Sequence, residues 1–102
     1  MKYINLTPHA IHFNDGRVFE PSGIIARVGS SYSEIVDDVC VQQFGEVQDL
    51  PAPAQDVRFI VSGMVLSALN GARDDVVGPA TGHPDTRRNE KGHIVSVPCF
   101  TR

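Results

Sequence analysis

The residues from Gly71 to Arg88, GARDDVVGPATGHPDTRR, gather most of the chain's chemistry-bearing side chains into its least periodic stretch. Arg73, Arg87 and Arg88 offer planar guanidinium forks, which suit phosphate oxygens or stacked bases. Thr81 adds a hydroxyl donor and His83 an imidazole. Backbone N–H groups near Gly78 and Gly82 can approach an anion closely, because glycine has no Cβ in the way. Long irregular segments inside compact domains tend to be functional. A phosphate-bearing small molecule is the ligand class this set suits. No GxxxxGK[ST] occurs, so the segment is not a P-loop. The competing reading is a plain loop that closes a sheet.

A second group lies near the start, in Thr7-Pro8-His9 with His12. Thr7 and His9 are candidate ligand contacts. On a strand, residues three apart face opposite sides, so His9 and His12 should not converge unless Pro8 turns the chain. Neither HxH nor HExxH is present, which removes the common zinc spacings. Asp74-Asp75 with Asp85 and His83 could collect around Mg²⁺ or Zn²⁺. Adjacent aspartates rarely both point inward, however; one usually caps a turn while the other is solvated. Glu46, after Gly45, is read as a partner for Arg27 or another arginine. Ser62 lacks a GxSxG elbow, and Cys40 and Cys99 lack an activating context. No catalytic set, metal site or cofactor is therefore expected.

The elements that must position these groups are mostly strands. Tyr3–Leu6 reads as a short strand, interrupted at Thr7-Pro8 because proline cannot donate to a ladder. Ala10–Phe13 resumes the alternation. Asn14-Asp15-Gly16 is a strong hairpin signal, with Arg17–Glu20 returning. Ile24–Val28 reads as a buried strand ending near Gly29, and Ser30–Asp38 is polar and ambiguous. Val39–Phe44 alternates again, and Gly45 suggests a bulge. Asp56–Ser62 is the strongest core strand. Ser62 can cap a short helix through Leu69 that stops at Asn70-Gly71. After the irregular segment comes a last hairpin, turning at Asn89–Gly92 and returning over His93–Cys99. The expected fold is α+β, mostly β: a single domain over residues 1–102, an antiparallel sheet or partly open barrel with one short helix.

At 102 residues the chain can hold one modest core, which partner subunits could complete, so a homo-oligomer is expected. Two tyrosines, five phenylalanines and no tryptophan anchor that core. The two cysteines read as buried small hydrophobes. The net charge of −3 argues against general nucleic-acid binding. The charge is uneven. Glu34, Asp37, Asp38, Glu46, Asp49 and Asp56 fill the middle, and Arg87, Arg88, Lys91 and Arg102 the end. These could pair within the fold or between subunits. No apolar run suggests a membrane span, and the first residues lack signal-peptide features, so a cytoplasmic location is expected.

Several ordered blocks resemble a family of small bacteriophage and prophage proteins. They are Asn5–Ile11, Pro21-Ser22-Gly23 with Ala26–Val28, and Phe44–Val47 with Leu50-Pro51 and Pro53. Phe59–Ser62, Arg73–Val77 with Pro79, and Gly92–Val95 complete the series. The chain departs from the pattern at Phe44 and Phe59, where a tyrosine often stands, and at Gly82-His83-Pro84. The resemblance implies a phage origin, hence the host cytoplasm, and implies no mechanism. The expected function is a small-molecule-binding protein that sequesters a host nucleotide signal, such as a cyclic oligonucleotide or an ADP-ribose derivative. The alternatives are a nucleotide hydrolase using histidines and carboxylates, and a protein–protein inhibitor or minor virion component.

Overall fold

The computed structural model describes all residues, 1–102. Its centre is a four-stranded sheet of β1 (Lys2–Asn5), β6 (Val57–Ile60), β7 (Val76–Pro79) and β10 (Phe100–Thr101), in the order β1-β6-β7-β10. Three antiparallel hairpins surround it. They are β2 (Ile11–His12) with β3 (Val18–Phe19), β4 (Arg27–Tyr32) with β5 (Gln42–Gln48), and β8 (Arg87–Arg88) with β9 (Ile94–Ser96). The single helix α1 spans Gly63–Leu69. The α+β, mostly β class holds, and no barrel closes. The central sheet is mixed: β1–β6 and β6–β7 are parallel, and only β7–β10 is antiparallel. Parallel neighbours need a crossover, and α1 supplies it between β6 and β7.

Alternation along the inner strands divides the core between the two sheet faces. Phe59, Val61 and Val76 pack with Leu6, Ala26 and Val65 on the helix side. Ile60 and Val77 point the other way, toward Ile11, Phe13 and Val97 beneath the β2–β3 hairpin. Ser62 accepts from the Val65 N–H and starts the helix, and Asn70 ends it in the left-handed region at φ 47°.

Four expectations need correction. Gly71–Arg88 is not uniformly irregular: it contains β7, an inner strand whose Val76, Val77 and Gly78 are buried. A strand covered on both faces shows a continuous apolar run rather than alternation, and two valines are too short a run to stand out. Ile24 and Ile25 are 50 % and 37 % exposed, and the strand begins at Arg27 instead. It runs on through the polar Ser30–Tyr32, and the register shift lies between Val28 and Ser30, at Gly29 rather than Gly45. Both cysteines are exposed, Cys40 near the tip of the β4–β5 hairpin and Cys99 just before the edge strand β10.

Two hydrogen-bonded hubs tie distant segments together. The buried Asn5 side chain donates to the carbonyls of His9 (2.8 Å) and Phe19 (2.9 Å) and accepts from the Thr7 N–H (2.9 Å) and hydroxyl (2.7 Å). Its own carbonyl accepts from the Ser22 hydroxyl and N–H. The Asn5–Ile11 and Pro21–Gly23 blocks therefore meet in one polar knot. At the other end of the sheet, Arg73 grips Asp75 with two bonds of 2.8 Å and donates to the Pro51 carbonyl at 3.1 Å. That contact joins the Arg73–Val77 and Leu50-Pro51 blocks.

Candidate functional site

The structure does not bring Arg73, Thr81, His83, Arg87 and Arg88 into one pocket. Arg73 is a correction with a clear cause: two of its nitrogens are committed to Asp75 and Pro51. Its side chain is only 22 % exposed. The guanidinium beside Asp75 holds that carboxyl below its ordinary range through the hydrogen bond, against an opposing push from burial. Thr7 is likewise structural, buried and bonded to Asn5 and to the His9 carbonyl. Gly78 is buried in the sheet, where a Cβ would stand 3.2 Å from both Leu66 Cδ2 and the Val61 carbonyl oxygen. Its missing side chain serves close helix packing and not an anion.

The exposed remainder of the segment is bonded mainly to itself. The Thr81 N–H donates to Pro79, His83 Nδ1 accepts from the Asp85 N–H, and the Thr86 hydroxyl donates to Ala80. Arg88 donates to the carbonyls of Gly92 (3.0 Å) and Thr81 (3.4 Å), so it braces the β8–β9 hairpin. Arg87 is exposed and makes no side-chain contact to a carboxylate. Asp74, Asp75, Asp85 and His83 form no ligand cluster. His9, His12 and Thr81 do share a groove, because the turn at Pro8 places His9 ahead of strand β2. Its remaining lining is largely apolar, with Ile11, Ile94, Val95 and Val97.

A better-equipped site lies on the sheet face opposite the helix. Four rings interlock there: Tyr3–Phe100 centroids are 5.2 Å apart, Tyr3–Phe19 5.3 Å, Phe13–Phe19 4.8 Å and Phe13–Phe100 4.7 Å. All lie within the range of favourable aromatic pairing. Tyr3 and Phe100 come from the two edge strands, and Phe13 and Phe19 from the β2–β3 hairpin. Beside the rings is an open cavity of about 320 Å³ lined by Tyr3, Phe13, Arg17, Arg58, Phe100 and Arg102, among others.

Sheet register explains the arrangement. Tyr3 and Arg58 are direct partners across the parallel β1–β6 pair, and Arg58 alternates with Ile60 onto the ring-bearing face. Arg17 stands 4.9 Å from the Phe13 ring centroid and pairs with Asp15 at 2.9 Å, which consumes part of its charge. Arg58 and Arg102 take part in none of the chain's three ion pairs. Arg58 is half-buried and has no carboxylate partner. The site thus sets the unpaired Arg58 and Arg102 beside a cavity whose aromatic lining is the half-buried Tyr3 and Phe100 and the buried Phe13.

Sequence reasoning missed Tyr3, Phe13, Arg17, Arg58, Phe100 and Arg102. One signal was available. In Val57-Arg58-Phe59-Ile60-Val61, an arginine occupies the same face as Ile60 on the strongest core strand, a position normally apolar. Tyr3 and Phe100 gave no such signal, because their convergence depends on strand order.

Compared with known proteins, the chain matches no family model, no curated protein and no solved structure.

Proposed function

We propose that this chain binds a phosphate-bearing aromatic small molecule on the Tyr3–Arg58–Phe100 face. The observation that carries the reading is the pairing of a ring cluster with Arg58 and Arg102 around a cavity of about 320 Å³. That volume falls at the small end of ligand pockets, which run from about 300 to 1,000 Å³. Aromatic faces stack nucleobases with little sequence preference, and arginine forks take phosphate oxygens in pairs. A nucleotide-like molecule uses both features at once.

The use of such a site follows from the phage resemblance by analogy. A small binder present in quantity sequesters a host nucleotide signal and lowers its free concentration. Cyclic dinucleotides and ADP-ribose are the probes of choice. Isothermal titration of the intact chain against both, with AMP and inorganic phosphate beside them, tests the reading. It expects micromolar or tighter binding to one nucleotide, lost in Arg58→Ala and weakened in Phe100→Ala. Ligand recovered intact after denaturation supports sequestration, whereas cleaved ligand supports a hydrolase. Absence of binding to every probe at high micromolar protein overturns the proposal.

A further inference from the structure

The β4–β5 hairpin leaves the body of the protein as an arm. The chain's extents are 46 × 39 × 21 Å and its radius of gyration is 15.2 Å, against about 13 Å for a compact domain of this length. The arm ends in a two-residue turn: Val36 and Val39 bond reciprocally, and Asp37 (φ 51°) and Asp38 (φ 66°) occupy the left-handed region. This is the backbone of a tight hairpin turn, in which aspartate is tolerated. Around it Tyr32, Ile35, Val36, Val39 and Val41 are 62–77 % exposed. Spread over the two faces of the tip, they expose on the order of several hundred Å² of side chain, and exposed apolar surface of that size marks interaction sites. Meanwhile only 16 of 102 residues are buried.

A matching surface exists on the same chain. The groove of about 330 Å³ under the β8–β9 hairpin is floored by Ile11 and Val97 and walled by Ile94 and Val95. Arg87, the register partner of the groove residue Ser96, stands on that hairpin with Arg88 and Lys91 against the single carboxylate of Glu90, and none of the four enters an ion pair. Glu34, Asp37 and Asp38 at the arm tip enter none either. One surface is an apolar tip carrying three carboxylates, and the other an apolar groove under a hairpin of net positive charge. Tip against tip would set three carboxylates against three, which charge repulsion opposes.

We infer that the arm tip of one copy of this chain docks in the β8–β9 groove of a second copy, and that the exchange is reciprocal. Val36 and its cross-strand partner Val39 enter the groove on one face of the tip while Glu34, Asp37 and Asp38 face Arg87 and Lys91. Reciprocity closes the pair around a two-fold axis and prevents open-ended growth. Asymmetric charge also fixes which surface meets which. His9 and Thr81, at the groove, then line a subunit contact. The inference is independent of the small-molecule reading, since the two sites share none of these residues.

The test uses two variants of the full chain and light scattering after size exclusion, with circular dichroism to confirm folding. Glu34→Lys with Asp37→Asn and Asp38→Asn reverses the tip charge, the asparagines keeping the left-handed turn. Arg87→Glu with Lys91→Glu reverses the groove charge and leaves the Arg88 brace in place. The wild type is expected as a dimer at tens of micromolar, and each variant alone should dimerise at least about tenfold more weakly. Mixing the two variants should restore the dimer, because both contacts then regain opposite charges. A monomeric wild type, a dimer indifferent to either reversal, or a mixture that stays monomeric overturns the inference.

Discussion

Replacing Asn5 by alanine is expected to be among the most destabilising single changes in the chain. Asn5 is 2 % exposed, and its side chain makes four hydrogen bonds, none longer than 2.9 Å. The Asn5→Ala variant loses all four. Thr7 keeps one alternative, because its hydroxyl also donates to the His9 carbonyl at 3.0 Å. The Phe19 carbonyl and the Thr7 N–H lose their side-chain partner. At about 1 kcal/mol per bond, with more where a buried group is left unpaired, the loss is about 3–5 kcal/mol. Natural domains of this size hold only about 5–15 kcal/mol in total. Urea unfolding followed by circular dichroism measures the loss, and a Tm fall of at least about 12 °C should accompany it. A double-mutant cycle with Thr7→Val should give a coupling of about 1 kcal/mol or more, since the two side chains bond each other. A loss below about 1 kcal/mol, or simple additivity with Thr7→Val, would refute the hub.

Three further outcomes follow from the same geometry. Asp75→Asn should cost about 1–3 kcal/mol at neutral pH, because it breaks a two-point ion pair whose side chains are 22 % and 16 % exposed. The Asp75 carboxyl titrates below its unfolded value. Its contribution is therefore full above the ordinary carboxylate range and vanishes as pH falls through the lowered folded value. Unfolding measured from pH 6 downward should show a shallower acid decline in Asp75→Asn than in the wild type; equal slopes would count against the pair. Gly78→Ala should cost about 1–3 kcal/mol by overpacking, since the new methyl meets Leu66 and the Val61 carbonyl at 3.2 Å. Thermal melts check this, and an unchanged Tm would mean that α1 shifts freely. Arg73→Ala should lower stability while leaving nucleotide affinity unchanged, as read by melts and titration on one sample.

Much of the framework was legible because local chemistry determined it. Asn14-Asp15-Gly16 specified its hairpin, Ser62 its helix cap, and Asn89–Gly92 the last turn. The continuous apolar run Phe59-Ile60-Val61 located the core strand. Elements whose cause is tertiary were not legible. Strand β7 forms because α1 covers one face and the β2–β3 side covers the other, and its two valines carry no period. The arm tip turns on Asp37-Asp38, a much weaker signal than Asn-Gly. Candidate-site residues divided in the same way. Clustered polar residues in Gly71–Arg88 drew notice by composition, yet Arg73, Thr81, His83 and Arg88 bond mainly to neighbouring loops. Tyr3, Arg58 and Phe100 are separated widely in sequence and meet only through the order β1-β6-β7-β10.

The most direct measurement of the central claim is a two-dimensional amide NMR titration of the intact chain with ADP-ribose and with a cyclic dinucleotide. For whichever probe binds, the largest shift changes should fall on Tyr3, Arg17, Arg58 and Phe100–Arg102, and they should vanish in Arg58→Ala. Shifts centred instead on Thr81–Arg88, or no saturable shifts with either probe, would contradict a nucleotide site on the aromatic–arginine face.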